Sequence, residues 1–247
     1  MKAMILAAGL GTRLRPLTDD RPKALVEIAG RTLLEITLSR LRAFGVHEVI
    51  INVHHRGEMI VEYLKKNANF GMGIEVSREE ILLDTGGGLK KAAYFFLTDS
   101  AEQPFIVHNV DVISTIDLGK MVRSHAESQA LATLAVQDRE ASRYLLFDQD
   151  LQLCGRRGAR DSKPELVGSP EKMQDLAFSG IHVISPRFLT MMIEEGVFSI
   201  ISAYLRLAGD GEKIVAFRAD EYYWRDLGKP ENVKQAARDL EQKGLVQ

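Results

Sequence analysis

Short apolar runs alternate with longer segments of helical spacing along most of the chain. Ala3–Ala7 reads as a strand. Leu33–Phe44 (LLEITLSRLRAF) has helical spacing and stops at Gly45. Glu48–Val53 (EVIINV) is nearly continuous and β-branched, as expected of a strand covered on both faces. Glu58–Lys66 predicts a helix, Gly73–Ser77 a strand and Leu89–Leu97 a helix. Pro104–Val112 (PFIVHNVDV) predicts a strand that ends in polar residues. Leu118–Glu127 predicts another helix, and Ala130–Val136 (ALATLAV) a buried strand.

This βαβα alternation predicts an α/β fold: a Rossmann-like, mostly parallel mixed sheet with helices on both faces. From Tyr144 to Ser179 the pattern weakens. YLLFDQDLQLCG reads as a hairpin turning at Asp148–Asp150, and RRGARDSKPELVGSPEKM as a polar loop. Then come a strand (FSGIHVI), a helix (FSIISAYLRLA), a strand (KIVAFRA), a loop (EYYWRDLGKP) and a last helix from Pro230. The reading is one domain over 1–247 with a hairpin region added to it.

Composition narrows the function. The net charge of −2 gives no global pull toward nucleic acid or membranes, so any anion site must be local. Cys154 is the only cysteine, which excludes an internal disulfide and reads as a small buried hydrophobe. No apolar run approaches the ~20 residues of a membrane span. The N-terminal apolar stretch is short and runs into arginines, unlike a signal peptide, so a cytoplasmic protein is expected.

Local charge appears at once, in MILAAGLGTRLRPLT (Met4–Thr18). This stretch leaves the first strand at the carboxyl edge, where parallel sheets hold ligands. Gly9 and Gly11 permit close approach of backbone N–H groups, which form a concave anion site. Arg13, Arg15 and Lys23 add charge suited to phosphate. The P-loop pattern is absent, and Leu14 stands where a dinucleotide fingerprint has its third glycine.

The stretch LAAGLGTRLRPLTDDRPKALVEIAGRTLLE resembles the signature loop of the sugar-1-phosphate nucleotidylyltransferases. The matching residues are Gly9, Gly11, Thr12, Arg13, Leu14, Pro16, Leu17, Thr18, Pro22 and Lys23. The resemblance covers most of the chain and is weakest between Tyr144 and Ala177. It implies that 1–136 is mainly a nucleotide-binding half, 137–229 mainly a sugar-binding half, and 230–247 a C-terminal helix. It implies the reaction of a nucleoside triphosphate with a sugar 1-phosphate, giving a nucleoside-diphosphate sugar and pyrophosphate. Both reactants are anionic, so catalysis rests on positioning and electrostatics.

By the same resemblance, Arg13, Lys23, Asp111 and Asp226 are the catalytic candidates. Nucleotide contacts are expected from Leu6, Ala7, Ala8, Gly9, Gly11, Thr12, Arg13, Lys23 and Asn109. LLDTGGGLKKA (Leu82–Ala92) resembles the family element that lies against the base, with Glu80, Gly87 and Gly88 as the expected contacts and Leu89 opening a helix toward the ligand. Asn109, Gly155, Lys163 and Gly180 are the expected sugar contacts. Asp111 and Asp226 are the expected Mg²⁺ ligands, since hard Mg²⁺ takes one or two carboxylates plus phosphate oxygens.

One departure stands out. The family's Asn-Gly-Asp is Asn109-Val110-Asp111 here, and valine disfavours a positive φ. An alternating strand would still leave Asn109 and Asp111 on one side, with His108 pointing the other way as a buried, hydrogen-bonded histidine.

Within the family the chain is most similar to N-acetylmuramate-1-phosphate uridylyltransferases, which implies UTP and an N-acetylmuramate- or hexose-type 1-phosphate. Mannose- or heptose-1-phosphate guanylyltransferases are the alternative. A non-catalytic nucleotide-sugar-binding regulatory protein is an alternative of another class, and a choline- or ethanolamine-phosphate cytidylyltransferase a further enzyme. The expected partners are the two small substrates, with no nucleic acid and no membrane, for a monomer or small homo-oligomer.

Overall fold

The structure is a computed structural model that describes residues 1–97 and 103–243. The last four positions of the expected 230–247 helix lie outside the described residues. The chain begins with β1 (Lys2–Leu6), followed after the glycine-rich loop by a ribbon of β2 (Glu27–Ile28) and β3 (Arg31–Thr32). Thr32 then caps α1 (Leu33–Ala43) by accepting a hydrogen bond from the Glu35 N–H at 3.1 Å. β4 (Glu48–Val53), α2 (Gly57–Lys66) and β5 (Gly73–Arg78) follow.

The expected Leu89–Leu97 helix is instead two pieces, α3 (Asp84–Lys91) and α4 (Ala93–Phe96). The expected Pro104–Val112 strand is likewise broken. β6 (Phe105–Asn109) ends at Asn109, Val110 and Asp111 form a turn, and β7 (Val112–Ser114) follows. α5 (Leu118–Ser128) closes this half, with Asp117 as its cap.

β8 (Ala132–Gln137) opens the second half. The hairpin turns where expected: β9 (Tyr144–Phe147) and β10 (Leu153–Arg157) flank a turn in which the Asp148 carboxylate accepts from the Asp150 and Gln152 N–H groups. β11 (Glu165–Leu166), β12 (Gln174–Ile184), α6 (Arg187–Thr190), α7 (Ile200–Gly209) and β13 (Ile214–Arg218) come next. The stretch expected to be a loop contains β14 (Trp224–Asp226), and α8 (Pro230–Lys243) follows.

The sheet is mixed. β5, β4, β1 and β6 form the parallel block, in that order. β12 runs antiparallel to β6 and to β8, and β13 lies parallel to β8. The inner half of β12 pairs with β6. Its outer half, Gln174–Leu176, pairs with β9 and so begins a side arm of β9, β10 and β11.

The period-2 geometry of a strand feeds two cores from one sequence. Ala3, Ile5, Val49 and Ile51 point to the face covered by α1, α2 and α8. Met4, Ile50 and Val107 point to the face covered by α3, α4 and α7. Cys154 is buried, as expected, and its thiol donates to the Leu146 carbonyl. Among the described residues no helix is long and apolar enough to cross a membrane.

Candidate active site

The glycine-rich loop is fixed at both ends and bare in the middle. At its start, the Ala7 N–H donates to Asn52 Oδ1 at 2.8 Å, and the Leu6 carbonyl accepts from the Val110 N–H. At its end, Thr18 Oγ1 donates to the Gly11 carbonyl at 2.9 Å. Gly11 has φ +68, and a Cβ there would stand 3.0 Å from Thr18 Cγ2. Leu14, in the third-glycine position of the rejected fingerprint, is a core anchor, 1% exposed. Between these anchors the backbone N–H groups of Ala8 to Arg13 find no acceptor among the described residues. A run of free N–H groups has the form that an anion-binding concavity takes.

Lys23 lies on a short turn after Pro22 and is only 9% exposed, so it is not a solvated surface lysine. Its ammonium is bonded to the Asp111 carboxylate. Together with Leu6, Ala7, Ala8, Gly9 and Asn109, this pair lines a cleft of about 370 Å³. Gly11, Thr12 and Arg13 lie beyond that lining. Val110 keeps an ordinary negative φ, so the valine introduces no backbone strain. Asn109 and Asp111 share the cleft through the turn between β6 and β7, rather than through strand alternation. His108 is buried, with Nδ1 2.8 Å from the Asn109 carbonyl. Burial, reinforced by the nearby Arg40 charge, pushes its pKa down to about 3, so it is neutral.

Asp226 comes to Asp111 through β14. Its register places Asp226 opposite Val112, and the Leu227 N–H donates to the Asp111 carbonyl at 2.8 Å. Strand pairing, not a flexible loop, therefore fixes the two carboxylates on neighbouring chains. Arg13 joins them. A Cβ built on Gly228 would stand 2.7 Å from Asp226 Oδ1 and 3.3 Å from an Arg13 Nη, so both charges flank one point.

Several expected contacts lie elsewhere. Glu80 is exposed, and its neighbour Glu79 is the buried one. Glu79 accepts from Asn52 Nδ2 at 2.7 Å and from the Leu83 N–H at 2.9 Å. Asn52 and Glu79 thus join the end of β1 to the start of α3. Gly87 and Gly88 sit inside α3, not on a loop before it. A Cβ on Gly87 would meet the Gly196 carbonyl at 2.4 Å, and one on Gly88 would meet Asn52 and Glu79 at 2.7 Å. These glycines admit neighbouring protein groups. The N-terminus of α3 is also engaged, because the Gly86 and Gly87 N–H groups donate to the Phe198 carbonyl. Leu82, Asp84 and Thr85 line the cleft instead.

The sugar-side expectations divide in the same way. Gly155 makes room for β11, since a Cβ there would lie 2.5 Å from the Glu165 carbonyl. Gly180, with φ +74, makes room for Asn109 and Val112, since a Cβ there would lie 2.9 Å from both Asn109 Nδ2 and Val112 Cγ2. Lys163 does line a second cavity of about 670 Å³ beside the arm, together with Arg139, Arg143, Arg156, Arg157 and Asp226. The two cavities adjoin: Asp111 and Asp226 lie on paired segments, while Val197 of the first and Ser199 of the second belong to one stretch. The four arginines were not expected from sequence. Asn52 had a signal, as the polar side chain that interrupts the apolar run VIINV.

Residues 2–243 match the model of the family described as nucleotidyl transferase. The chain belongs to the nucleotidyl transferase family. It is 35% identical over 238 residues to the N-acetylmuramate alpha-1-phosphate uridylyltransferase of Caulobacter vibrioides, covering 93% of this chain and 92% of that one. It is 31% identical over 242 residues to the mannose-1-phosphate guanyltransferase of Yarrowia lipolytica, covering 94% of this chain and 62% of that relative's length. The fold matches that of HddC from Yersinia pseudotuberculosis, solved with GMP-PN, at a TM-score of 0.76 and 22% identity over 97% of this chain and 99% of that one. This nucleotidyl transferase is thus an enzyme of the sugar-1-phosphate type, with the mixed α/β sheet of its structural neighbours.

Proposed function

We propose that the protein transfers a uridylyl group from UTP to an N-acetylmuramate- or hexose-type sugar 1-phosphate and releases pyrophosphate. The run of unpaired N–H groups from Ala8 to Arg13, next to the Lys23–Asp111 pair, carries the reading. The choice of UTP and N-acetylmuramate rests on the 35% identity to the Caulobacter vibrioides enzyme over nearly the full length of both chains.

The residues divide the work by charge. The bare loop holds the triphosphate through backbone N–H groups. Arg13 meets the charge that grows on the departing pyrophosphate. Lys23 stabilises the α-phosphate while an oxygen of the sugar phosphate attacks in line. The new P–O bond forms as the bond to pyrophosphate breaks, and no proton transfer is needed at a phosphate dianion. Asn109 orients the reactants from the end of β6. The buried, neutral His108 holds the Asn109 carbonyl and takes no part in proton transfer.

The carboxylates fit a divalent ion. Asp111 and Asp226 offer hard oxygens from paired segments, and among the described residues no third carboxylate, histidine or cysteine completes a protein cage. That donor set suits Mg²⁺, which takes its remaining ligands from phosphates and water. When bound, Mg²⁺ would neutralise phosphate charge between Asp111 and Asp226.

The test is a pyrophosphate-release assay crossing UTP, GTP, CTP and dTTP with several sugar 1-phosphates, with and without Mg²⁺. Turnover is expected with UTP and N-acetylmuramate 1-phosphate. Turnover with GTP and mannose 1-phosphate alone would replace the substrate assignment. Nucleotide-sugar binding without turnover of any pair would overturn the catalytic reading.

A further inference from the structure

The proposed reaction joins two anions, and the cations assigned to it above serve one of them. The backbone from Ala8 to Arg13, the Arg13 side chain and Lys23 meet the triphosphate. The attacking phosphate of the sugar needs a cation of its own, placed where the two cavities adjoin. That place is beside Asp226, which lines the second cavity and whose strand is paired to the segment after Asp111.

Five cations line the second cavity, and four of them are unsuited to that place. Arg156 pairs with Glu165 at 2.7 Å, and Arg157 lies 3.4 Å from Asp175. Arg143 and Lys163 are exposed, so water weakens the reach of their charge. Arg139 is the fifth. It is partly buried and makes no ion pair among the described residues. Burial lowers its pKa and the Asp226 charge raises it, so the two lie near each other.

Strand geometry agrees. Trp224 and Asp226 stand two residues apart on β14 and share a face. The Arg139 guanidinium lies 3.6 Å from the centre of the Trp224 ring, which puts it on that face too. Trp224 is itself fixed, because its Nε1 donates to the Ser179 carbonyl at 2.7 Å. Arg139 Nη2 donates to the neighbouring Phe178 carbonyl at 2.9 Å. The stack and this bond together set the plane of the guanidinium. Its Nε is buried without a hydrogen-bond partner. Nη1 has no partner among the described residues and is not buried, so it is the end left for a ligand.

Resting on the reaction proposed above, we infer that Arg139 binds the phosphate of the sugar 1-phosphate through Nη1 and holds it beside Asp226. A fixed, partly desolvated guanidinium donates a charge-assisted hydrogen bond to a non-attacking phosphate oxygen. The attacking oxygen stays free to approach the α-phosphorus. Arg139 lies outside the first cleft, so it acts on one substrate only.

The test is steady-state kinetics of two variants. Arg139→Met keeps a long side chain against Trp224, and Arg139→Gln keeps a donor for the Phe178 carbonyl. Both lose the charge. In each, the KM for the sugar 1-phosphate should rise about tenfold or more, the usual effect of losing a hydrogen bond to a charged group. The KM for the nucleotide and the Mg²⁺ dependence should stay as in the parent. A merely structural role would act through Trp224 and Asp226 and move the Mg²⁺ dependence or both KM values together. That result overturns the inference, as does an unchanged KM for the sugar 1-phosphate. Circular dichroism checks that the variants fold. If the parent turns over no sugar 1-phosphate, the reaction itself is wrong, and calorimetry decides the role of Arg139 on its own. N-acetylmuramate 1-phosphate and glucose 1-phosphate are then titrated into the parent and both variants. At least one compound should bind the parent about tenfold more tightly than either variant. Equal affinities, or no binding to the parent, overturn the inference.

Discussion

The Lys23 ammonium is bonded to the Asp111 carboxylate across 88 residues of sequence. The pair joins the turn after the glycine-rich loop to the turn after β6, and both side chains are mostly buried. Without substrate, each charge neutralises the other. In the proposed reaction they separate, Lys23 to the α-phosphate and Asp111 to the divalent ion. Lys23→Met should therefore lower kcat by about 10²- to 10³-fold, the usual effect of removing one preorganised transition-state donor. Asp111→Asn should lose at least as much rate and weaken the dependence on Mg²⁺. Steady-state kinetics over a Mg²⁺ titration checks both. An active Asp111→Asn protein with unchanged Mg²⁺ dependence would refute the metal assignment. Melting temperatures should show the Lys23→Met, Asp111→Asn double variant to be more stable than Lys23→Met alone. The single change leaves a mostly buried carboxylate without its partner, and the double change removes that charge.

Gly88 is held in place by Asn52 and Glu79. Any side chain at this position would enter the contact between them. Gly88→Ala should separate the Asn52 amide from the Glu79 carboxylate, leaving the Ala7 and Leu83 N–H groups without good acceptors. Unmade buried hydrogen bonds of this kind cost about 1–3 kcal/mol each. Urea unfolding should show a loss of that order, and the KM for the nucleotide should rise because the glycine-rich loop loses its anchor at Ala7. A Gly88→Ala protein of unchanged stability would show that α3 shifts to absorb the methyl group.

Gly228 carries a different expectation. Its N–H donates to Asp226 Oδ1 at 2.8 Å, and the space over its Cα is bounded by Asp226 and Arg13. Gly228→Ala should push both side chains aside while leaving the sheet intact. The expected result is a fall in kcat of about 10-fold or more at nearly unchanged melting temperature, since a displacement of about 1 Å at reacting groups is enough for a large loss. If kcat is unchanged, Arg13 and Asp226 do not act from the positions seen here.

Regular elements and the first cleft were legible in the sequence because their signals are local. EVIINV is a two-sided buried strand, and the structure gives Glu48–Val53. The unpaired N–H run from Ala8 to Arg13 was legible for the same reason, from glycines and arginines in one short stretch. Where expectation and structure differ, tertiary contact decides. Gly86–Gly88 look like a loop because glycine is a poor helix former. They lie inside α3, and they are glycines because Phe198, Gly196 and the Asn52–Glu79 pair approach too closely for any side chain. Glu79 and Glu80 are indistinguishable neighbours in sequence, and the direction of one residue decides which is buried. The arginine cluster of the second cavity comes from two separate segments, the β8–β9 connection and β10. No short motif announces such a convergence.

Three buried histidines make stability fall with acid. His182 is buried, with Nδ1 2.8 Å from the Tyr204 hydroxyl, and burial, helped by nearby His108, lowers its pKa to about 3. Burial and the Arg40 charge lower His108 to about 3, and burial lowers His125 to about 4. Folded, all three stay neutral well below the pH at which free histidines protonate. Unfolded, they titrate near 6.5. The unfolded chain therefore binds more protons below that pH, and the unfolding free energy must drop as pH falls from 6.5 toward 4. Between pH 7 and pH 5 the loss is about 2 kcal/mol for each histidine that remains neutral. Urea unfolding at pH 7, 6 and 5 measures it directly. His125 lies between the Thr133 and Ser185 hydroxyls, so His125→Asn keeps polar contacts there while removing one titrating group. The variant should be less steeply pH-dependent than the parent over this range. Equal slopes would mean that His125 is protonated in the folded protein, and a parent curve flat from pH 7 to 5 would exclude a neutral state for all three.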